Sequence, residues 1–111
     1  MNNPHRIDEL EYKFEELTIL PPFTGKDGRE YRYADAYVNG SADIAYDADG
    51  DWWVYSIWLE TAERKTGTLE RKLRHLDRAD AVFALVKAAL ERECRDSINA
   101  AVAEHKAEAA A

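Results

Sequence analysis

Asp49-Gly50 stands between two strand-like runs, and this arrangement constrains the chain more than any other feature. A tight hairpin turn needs a residue at φ > 0, which Asp-Gly and Asn-Gly pairs supply at low cost. Ahead of the pair, Ala42, Ile44 and Tyr46 alternate with Asp43, Ala45 and Asp47, a half-buried pattern with acids towards water. Behind it, Trp52 to Leu59 reads WWVYSIWL, apolar on both faces, which suits a central strand covered on each side. Two such runs joined by a two-residue turn at Asp49-Gly50 predict an antiparallel sheet. Asp27-Gly28 and Asn39-Gly40 punctuate the preceding residues in the same manner, although Asn39-Gly40 also fits a bulge inside one long strand. Glu30 to Val38 alternates Tyr31, Tyr33, Asp35 and Tyr37 with Arg32, Ala34, Ala36 and Val38, as a further strand would.

The N-terminal segment fits two periods. Ile7, Leu10, Phe14 and Leu17 match a helix face; Tyr12 and Phe14, with Leu17 and Ile19 on the other side, match a strand. Pro21-Pro22 ends either one. A strand from about Glu11 to Leu20 is the preferred reading, because a sheet of three or four strands needs the partner. After Leu59 the period changes, and Leu69, Leu73 and Leu76 suggest a helical turn or an amphipathic link. Asp77 then reads as a helix N-cap, with Asp80 at the third helical position. Val82, Val86, Leu90, Cys94, Ile98 and Val102 form a stripe at four-residue steps.

That stripe has a geometric consequence. Four residues turn a helix ~40° past a full turn, so five steps drift about 200°. A continuous helix from Arg78 to Lys106 is ~43 Å long, against a diameter of roughly 34 Å for a globule of this size. Either the helix breaks near Arg95-Asp96-Ser97, or its end packs on another chain. The second case makes Ile98 and Val102 a homodimer interface.

Length bounds the core. The chain has 111 residues and 12.7 kDa, enough to bury about two thirds of its unfolded surface in one domain and too few for two. The expected organisation is a single domain over 1–111, with sheet at about 11–60, a connector at about 61–76 and a helix at about 78–106. The fold class is α+β: an antiparallel β-meander of three to four strands with a C-terminal helical region packed on one face. No run of ~18 apolar residues is present to cross a membrane. The lone Cys94 excludes an intrachain disulfide, and Met1 to Arg6 does not open a secretory signal, so a cytoplasmic location is expected.

Charge narrows the partners. The net charge is −7, which repels nucleic-acid phosphates and argues against direct nucleic-acid binding. The field is uneven. Residues 1–60 carry 13 acids and 5 bases, whereas residues 61–111 carry 9 acids and 10 bases. No Lys or Arg occurs between Tyr33 and Glu63, while Arg64, Lys65, Arg71, Lys72, Arg74 and Arg78 follow closely.

Motifs for chemistry fail on their spacing. Asp47-Ala48-Asp49-Gly50-Asp51 resembles a calcium loop, but aligning Gly50 with the invariant glycine places Ala45 first and Ser56 at the bidentate position. A solvated turn with no metal is the preferred reading, and a weak cation site of another type is the alternative. His5, His75 and His105 lack ligand spacing, and Cys94 falls on the apolar stripe. Gly25-Lys26-Asp27 has no glycine five residues earlier and carries Asp where a phosphate loop carries Ser or Thr. No G-x-S-x-G surrounds a serine. No cofactor or catalytic residue is expected, and the chain does not read as an enzyme.

The aromatic residues remain. Trp52 and Trp53 point to opposite faces, and one helical layer covers only one face of a sheet. Aromatics among acids read as a protein-binding surface, or as a face closed by the N-terminus or a dimer mate. The stretch Ala42-DIAYDADGDWWVYSIWLE-Thr61 followed by one helix resembles small acidic accessory proteins of phages and prophages, including anti-CRISPR inhibitors. That resemblance implies binding to a host protein. The leading expectation is a non-catalytic acidic module, an inhibitor of a host nucleic-acid-binding protein, that offers Asp43, Asp47, Asp49, Asp51, Trp52 and Trp53 to a host or phage protein with a basic surface. The alternatives are an assembly protein dimerising through its C-terminal helix and a small enzyme or carbohydrate binder using Trp and carboxylates.

Overall fold

The computed structural model describes residues 7–21, 23–31 and 37–110. Eight elements follow in order: β1 (Asp8–Thr18), β2 (Phe23–Thr24), β3 (Glu30–Tyr31), β4 (Tyr37–Tyr46), β5 (Trp52–Lys65), β6 (Thr68–Leu76), α1 (Ala81–Glu93) and α2 (Arg95–Ala110). Four strands form one antiparallel sheet in the order β1-β4-β5-β6, and β2 and β3 form a separate two-stranded sheet between β1 and β4 in sequence. Both helices pack on one face of the large sheet. The fold is α+β, as the hydrophobic periodicity predicts.

Two β-bulges decide what faces the helices. In β1, Phe14 pairs with Gly40 but Leu17 pairs with Val38, so Glu15 and Glu16 together oppose Asn39. Glu16 sits at φ 50°, and its N–H donates to Asn39 Oδ1 at 2.7 Å. The extra residue shifts the alternation by one. Tyr12 and Phe14 therefore share a face with Leu17 and Ile19, where a regular strand sets the pairs on opposite sides; all four join the core. In β5, Ser56 pairs with Asp43 and Val54 with Ile44, leaving Tyr55 as the extra residue. Arg78 bonds the Tyr55 carbonyl oxygen through Nε (3.1 Å) and Nη2 (2.6 Å). Val54 and Ile57 both turn inward as a result.

The core joins Phe14, Leu17, Ala42, Ile44, Tyr46, Val54 and Ile57 of the sheet to Phe83, Val86, Ala89, Leu90, Ile98 and Val102 of the helices. β4 carries a glycine where the neighbouring strands β1 and β5 crowd it. A Cβ at Gly40 would collide with the Trp58 carbonyl oxygen and lie 3.0 Å from the Phe14 ring. Asn39-Gly40 is therefore part of one long strand, opposite the β1 bulge, and not a hairpin turn.

Several expectations are corrected. The two ends of the run Glu30 to Val38 pair in different sheets, Glu30–Tyr31 with β2 and Tyr37–Val38 with β1, while residues 32–36, Tyr33 and Asp35 among them, lie outside the described residues. The Asp49-Gly50 turn has three loop residues, not two. Gly50 N–H bonds the Asp47 carbonyl (3.0 Å), Asp47 N–H bonds the Asp51 carbonyl (3.0 Å), and Gly50 holds φ 85°. This is a type I turn closed by a left-handed glycine. The connector expected at 61–76 is a hairpin, with β5 running to Lys65 and β6 following Thr66-Gly67. Thr66 (φ 45°) and Gly67 (φ 83°) are both left-handed, the requirement of a type I′ turn. Leu69 and Leu73 thus follow period 2 on a strand and not period 3.6 on a helix.

The helix begins later and breaks where geometry demands. Asp80, not Asp77, is the N-cap, accepting from Val82 N–H at 2.9 Å; Asp77 caps the preceding turn through Ala79 N–H at 2.8 Å. Cys94 leaves helical geometry at φ −116°, ψ 9°, and Arg95 Nε takes up the Glu91 carbonyl at 3.1 Å. The break resets the drifting stripe, so Ile98 and Val102 return to the same sheet, 0% and 3% exposed. Neither is available as the homodimer seam; the bend occupies the role of the second chain at these positions. Polar bonds seat α2: Tyr12 Oη donates to Ser97 Oγ (2.9 Å), Trp52 Nε1 to Asn99 Oδ1 (2.6 Å), Lys106 Nζ to the Ala48 carbonyl, and Tyr46 Oη meets His105 Nδ1 at 2.5 Å. The molecule is a slab of 53 × 49 × 25 Å, broader than a sphere of the same mass.

Two substitutions test this packing. Gly40→Val should lower unfolding free energy by at least about 1–3 kcal/mol, because backbone of β5 must move. Ile98→Ala should cost about 2–5 kcal/mol through the cavity left between α2 and the sheet. Urea denaturation measures both, and wild-type midpoints would refute the close approach and the bend.

Candidate functional site: the uncovered sheet face

No described element covers the second face of the sheet. Its side chains follow from register. Glu9, Glu11, Lys13 and Glu15 come from β1, Tyr37, Asn39, Ser41 and Asp43 from β4, Trp53, Tyr55, Trp58 and Glu60 from β5, and Leu69, Arg71, Leu73 and His75 from β6. Six large apolar residues of this face are open to solvent: Tyr37, Trp53, Tyr55, Trp58, Leu69 and Leu73, with Leu69 and Leu73 at 65% and 56%. β5 is an inner strand, but it is covered on one side only. This corrects the reading of WWVYSIWL as a strand buried on both faces.

The aromatic groups are held in place. Trp58 meets His75 edge to face, with ring centroids 4.7 Å apart. The Arg78 guanidinium lies 4.7 Å from the Tyr55 ring centroid, while the same group bonds the Tyr55 carbonyl. Arg71 pairs with Glu60 at 3.2 Å across β6 and β5. A cleft of about 510 Å³ opens on this face among Lys13, Tyr37, Asn39, Ser41, Glu60 and Arg71.

Charge is laid out across the strands. Glu9, Glu11 and Glu15 on β1, joined by Asp43 on β4, make an acidic side. Arg71 on β6 and Arg78 just beyond it, next to Asp77, place cations on the other side. The aromatic residues of β5 lie between them. The opposite charges of the two sequence halves thus become the two margins of one surface.

The residues expected to form the site are divided among three places. Asp43 and Trp53 lie on this face, Asp43 level with Glu11 and Ser56, and Trp53 level with Ala45. Trp52 faces the helices, where Asn99 accepts its Nε1–H and the Arg95 guanidinium lies 5.5 Å from its ring. Asp47, Asp49 and Asp51 cluster at the β4–β5 loop with ligand oxygens within 4.8 Å of one another. Asp47 Oδ1 there accepts the N–H groups of Asp49 (3.0 Å) and Asp51 (3.1 Å), so the carboxylate shapes the turn. The sequence reading missed Tyr55, Trp58, Arg71, Leu73 and His75. The two-residue spacing of Leu69, Arg71, Leu73 and His75 after Thr66-Gly67 carried their signal.

The arrangement suits recognition by contact. A flat aromatic surface between charged margins can exclude water from an apposed surface. Elsewhere, burial raises the Tyr12 hydroxyl above its ordinary value, against the lowering effect of its bond to Ser97. On the β2–β3 hairpin, the Tyr31 hydroxyl and the Arg29 N–H hold the Asp27 carboxyl below its ordinary 3.8, and Asp27 in turn raises Tyr31 above 10.0.

That pair defines a pH window. A depressed folded-state Asp stabilises above its unfolded pKa and loses the contribution as pH falls through its folded value. A raised Tyr stabilises below its unfolded pKa and loses the contribution as pH rises through its folded value. The hairpin contact should therefore persist between about pH 4 and pH 10 and weaken outside that range. Tyr31 ring shifts followed by NMR should show both limbs, and Asp27→Asn should remove the acid limb; an acid limb unchanged by that substitution would refute the assignment.

Comparison with known protein families, curated proteins and solved structures finds no match to the described chain, so its functional reading rests on this face.

Proposed function

We propose that the chain is a non-catalytic protein-binding module whose contact surface is the uncovered sheet face. The carrying observation is that six of the nine exposed large hydrophobic residues among those described share that face. Contiguous apolar surface with a polar rim is the pattern of an interface, with Trp, Tyr and Arg its usual energetic anchors. Trp53, Trp58 and Tyr55 supply the anchors, and the margins supply orientation.

The partner carries a basic strip towards Glu9, Glu11 and Asp43. Charge placed so steers association and suppresses wrong partners. An inhibitor of a host nucleic-acid-binding protein, implied by the resemblance to phage accessory proteins, is one use of such a surface, because a groove built for phosphates is lined with cations. The cytoplasm is the proposed compartment. No described helix is long and apolar enough to cross a membrane.

Site-specific photo-crosslinking in the producing cell tests the reading. A photoreactive residue at Trp58 or Leu73 should capture a discrete protein species. The same residue at Ala88 or Ala103, exposed on the helical layer, should not. Equal capture from both layers would remove the sheet face as the binding surface.

A further inference from the structure

We infer that the uncovered sheet face is closed by a second copy of this chain, related by a two-fold axis parallel to the strands. The inference rests on the reading of that face as a protein-binding surface and names its partner.

Charge order across the sheet selects both the partner and the axis. The strands run β1-β4-β5-β6, with acids at the β1 margin and Arg71 and Arg78 at the β6 margin. A two-fold parallel to the strands lays β1 of one copy over β6 of the other at the same level, so Glu9 and Glu11 fall at the end that carries the second copy's Asp77 and Arg78, and Glu15 lies over its Leu73, one outward position from Arg71. Each contact occurs twice, as an isologous interface requires. A two-fold across the strands lays β1 on β1 and sets acid on acid, which disfavours that pairing. The basic strip that the acidic margin needs is present in the same molecule.

Geometry and area agree. Two sheets pack face to face ~10 Å apart with strand directions within about 30°. In that arrangement Trp53, Tyr55 and Trp58 lie over β4 of the partner copy. Four strands at ~4.8 Å spacing and ~9 residues at ~3.3 Å give about 570 Å² per copy, or about 1,100 Å² in all before side-chain relief. That exceeds the ~1,000 Å² a specific interface needs.

A charge-exchange experiment tests the axis as well as the dimer. One variant carries Arg71→Glu and Arg78→Glu, giving two acidic margins; the other carries Glu9→Lys and Glu11→Lys, giving two basic margins. Sedimentation velocity of the wild-type chain should show a concentration-dependent dimer that weakens with salt. Each variant alone should self-associate at least tenfold more weakly, and an equimolar mixture should recover a heterodimer. Arg78 also braces the Tyr55 bulge, so circular dichroism accompanies each sample, and Arg71→Glu mixed with Glu15→Lys repeats the exchange without touching Arg78. A wild-type chain monomeric at every concentration overturns the proposal, as does a mixture no tighter than its separate variants. If crosslinks from Trp58 reach only other proteins, the second copy is refuted while the binding face stands; if they reach nothing, both fall.

Discussion

One layer of helix can cover one face of a sheet, and two inserted residues decide which side chains receive that cover. The bulge at Glu15–Glu16 returns Leu17 to the side of Phe14, and the bulge at Tyr55 returns Ile57 to the side of Val54. Without them each strand would place half of its aliphatic residues on the wrong side. With them the apolar residues of the core gather under the helices together with Trp52, and Trp53, Tyr55 and Trp58 of β5 are left outside. The uncovered face is a by-product of how the covered face is completed.

The helical layer obeys a related constraint. A stripe at four-residue steps winds around its helix, so a straight helix cannot keep it on a flat support. The break at Cys94 corrects the phase and brings Ile98 and Val102 back to the sheet. The bonds from Ser97, Asn99, His105 and Lys106 to β1, β5, β4 and the β4–β5 loop then fix α2 along the sheet. Direction in such bonds adds registry that apolar contact lacks, since hydrophobic burial is non-directional.

What this produces is a slab with two unlike surfaces. One is a finished core. The other joins exposed aromatic rings to opposed charged margins, and its edge strand β6 carries Arg71, Lys72 and Arg74, residues that discourage indiscriminate strand pairing. A surface guarded against random association at its edge, yet apolar across its centre, favours a partner that meets the face.

The sequence by itself determined the α+β class, the β4–β5 hairpin with its left-handed Gly50, the apolar helical stripe and the need for that stripe to break or find another surface. Those features are local: turn chemistry and periodicity act over a few residues and leave direct marks. Tertiary structure decided the rest. Alternation assigns sides only while a strand is regular, so Tyr12 and Phe14 read as opposed to Leu17 and Ile19 until the bulge was placed. Leu69, Leu73 and Leu76 fit a helical turn until pairing with β5 made them a strand. The expected site residues were neighbours in sequence, but Trp52 and Trp53 face opposite layers, and Asp43 is joined by Glu9 and Glu11 from a strand more than thirty residues away. Which residues share a face is a property of register between strands, and register is set by long-range packing that no local pattern encodes.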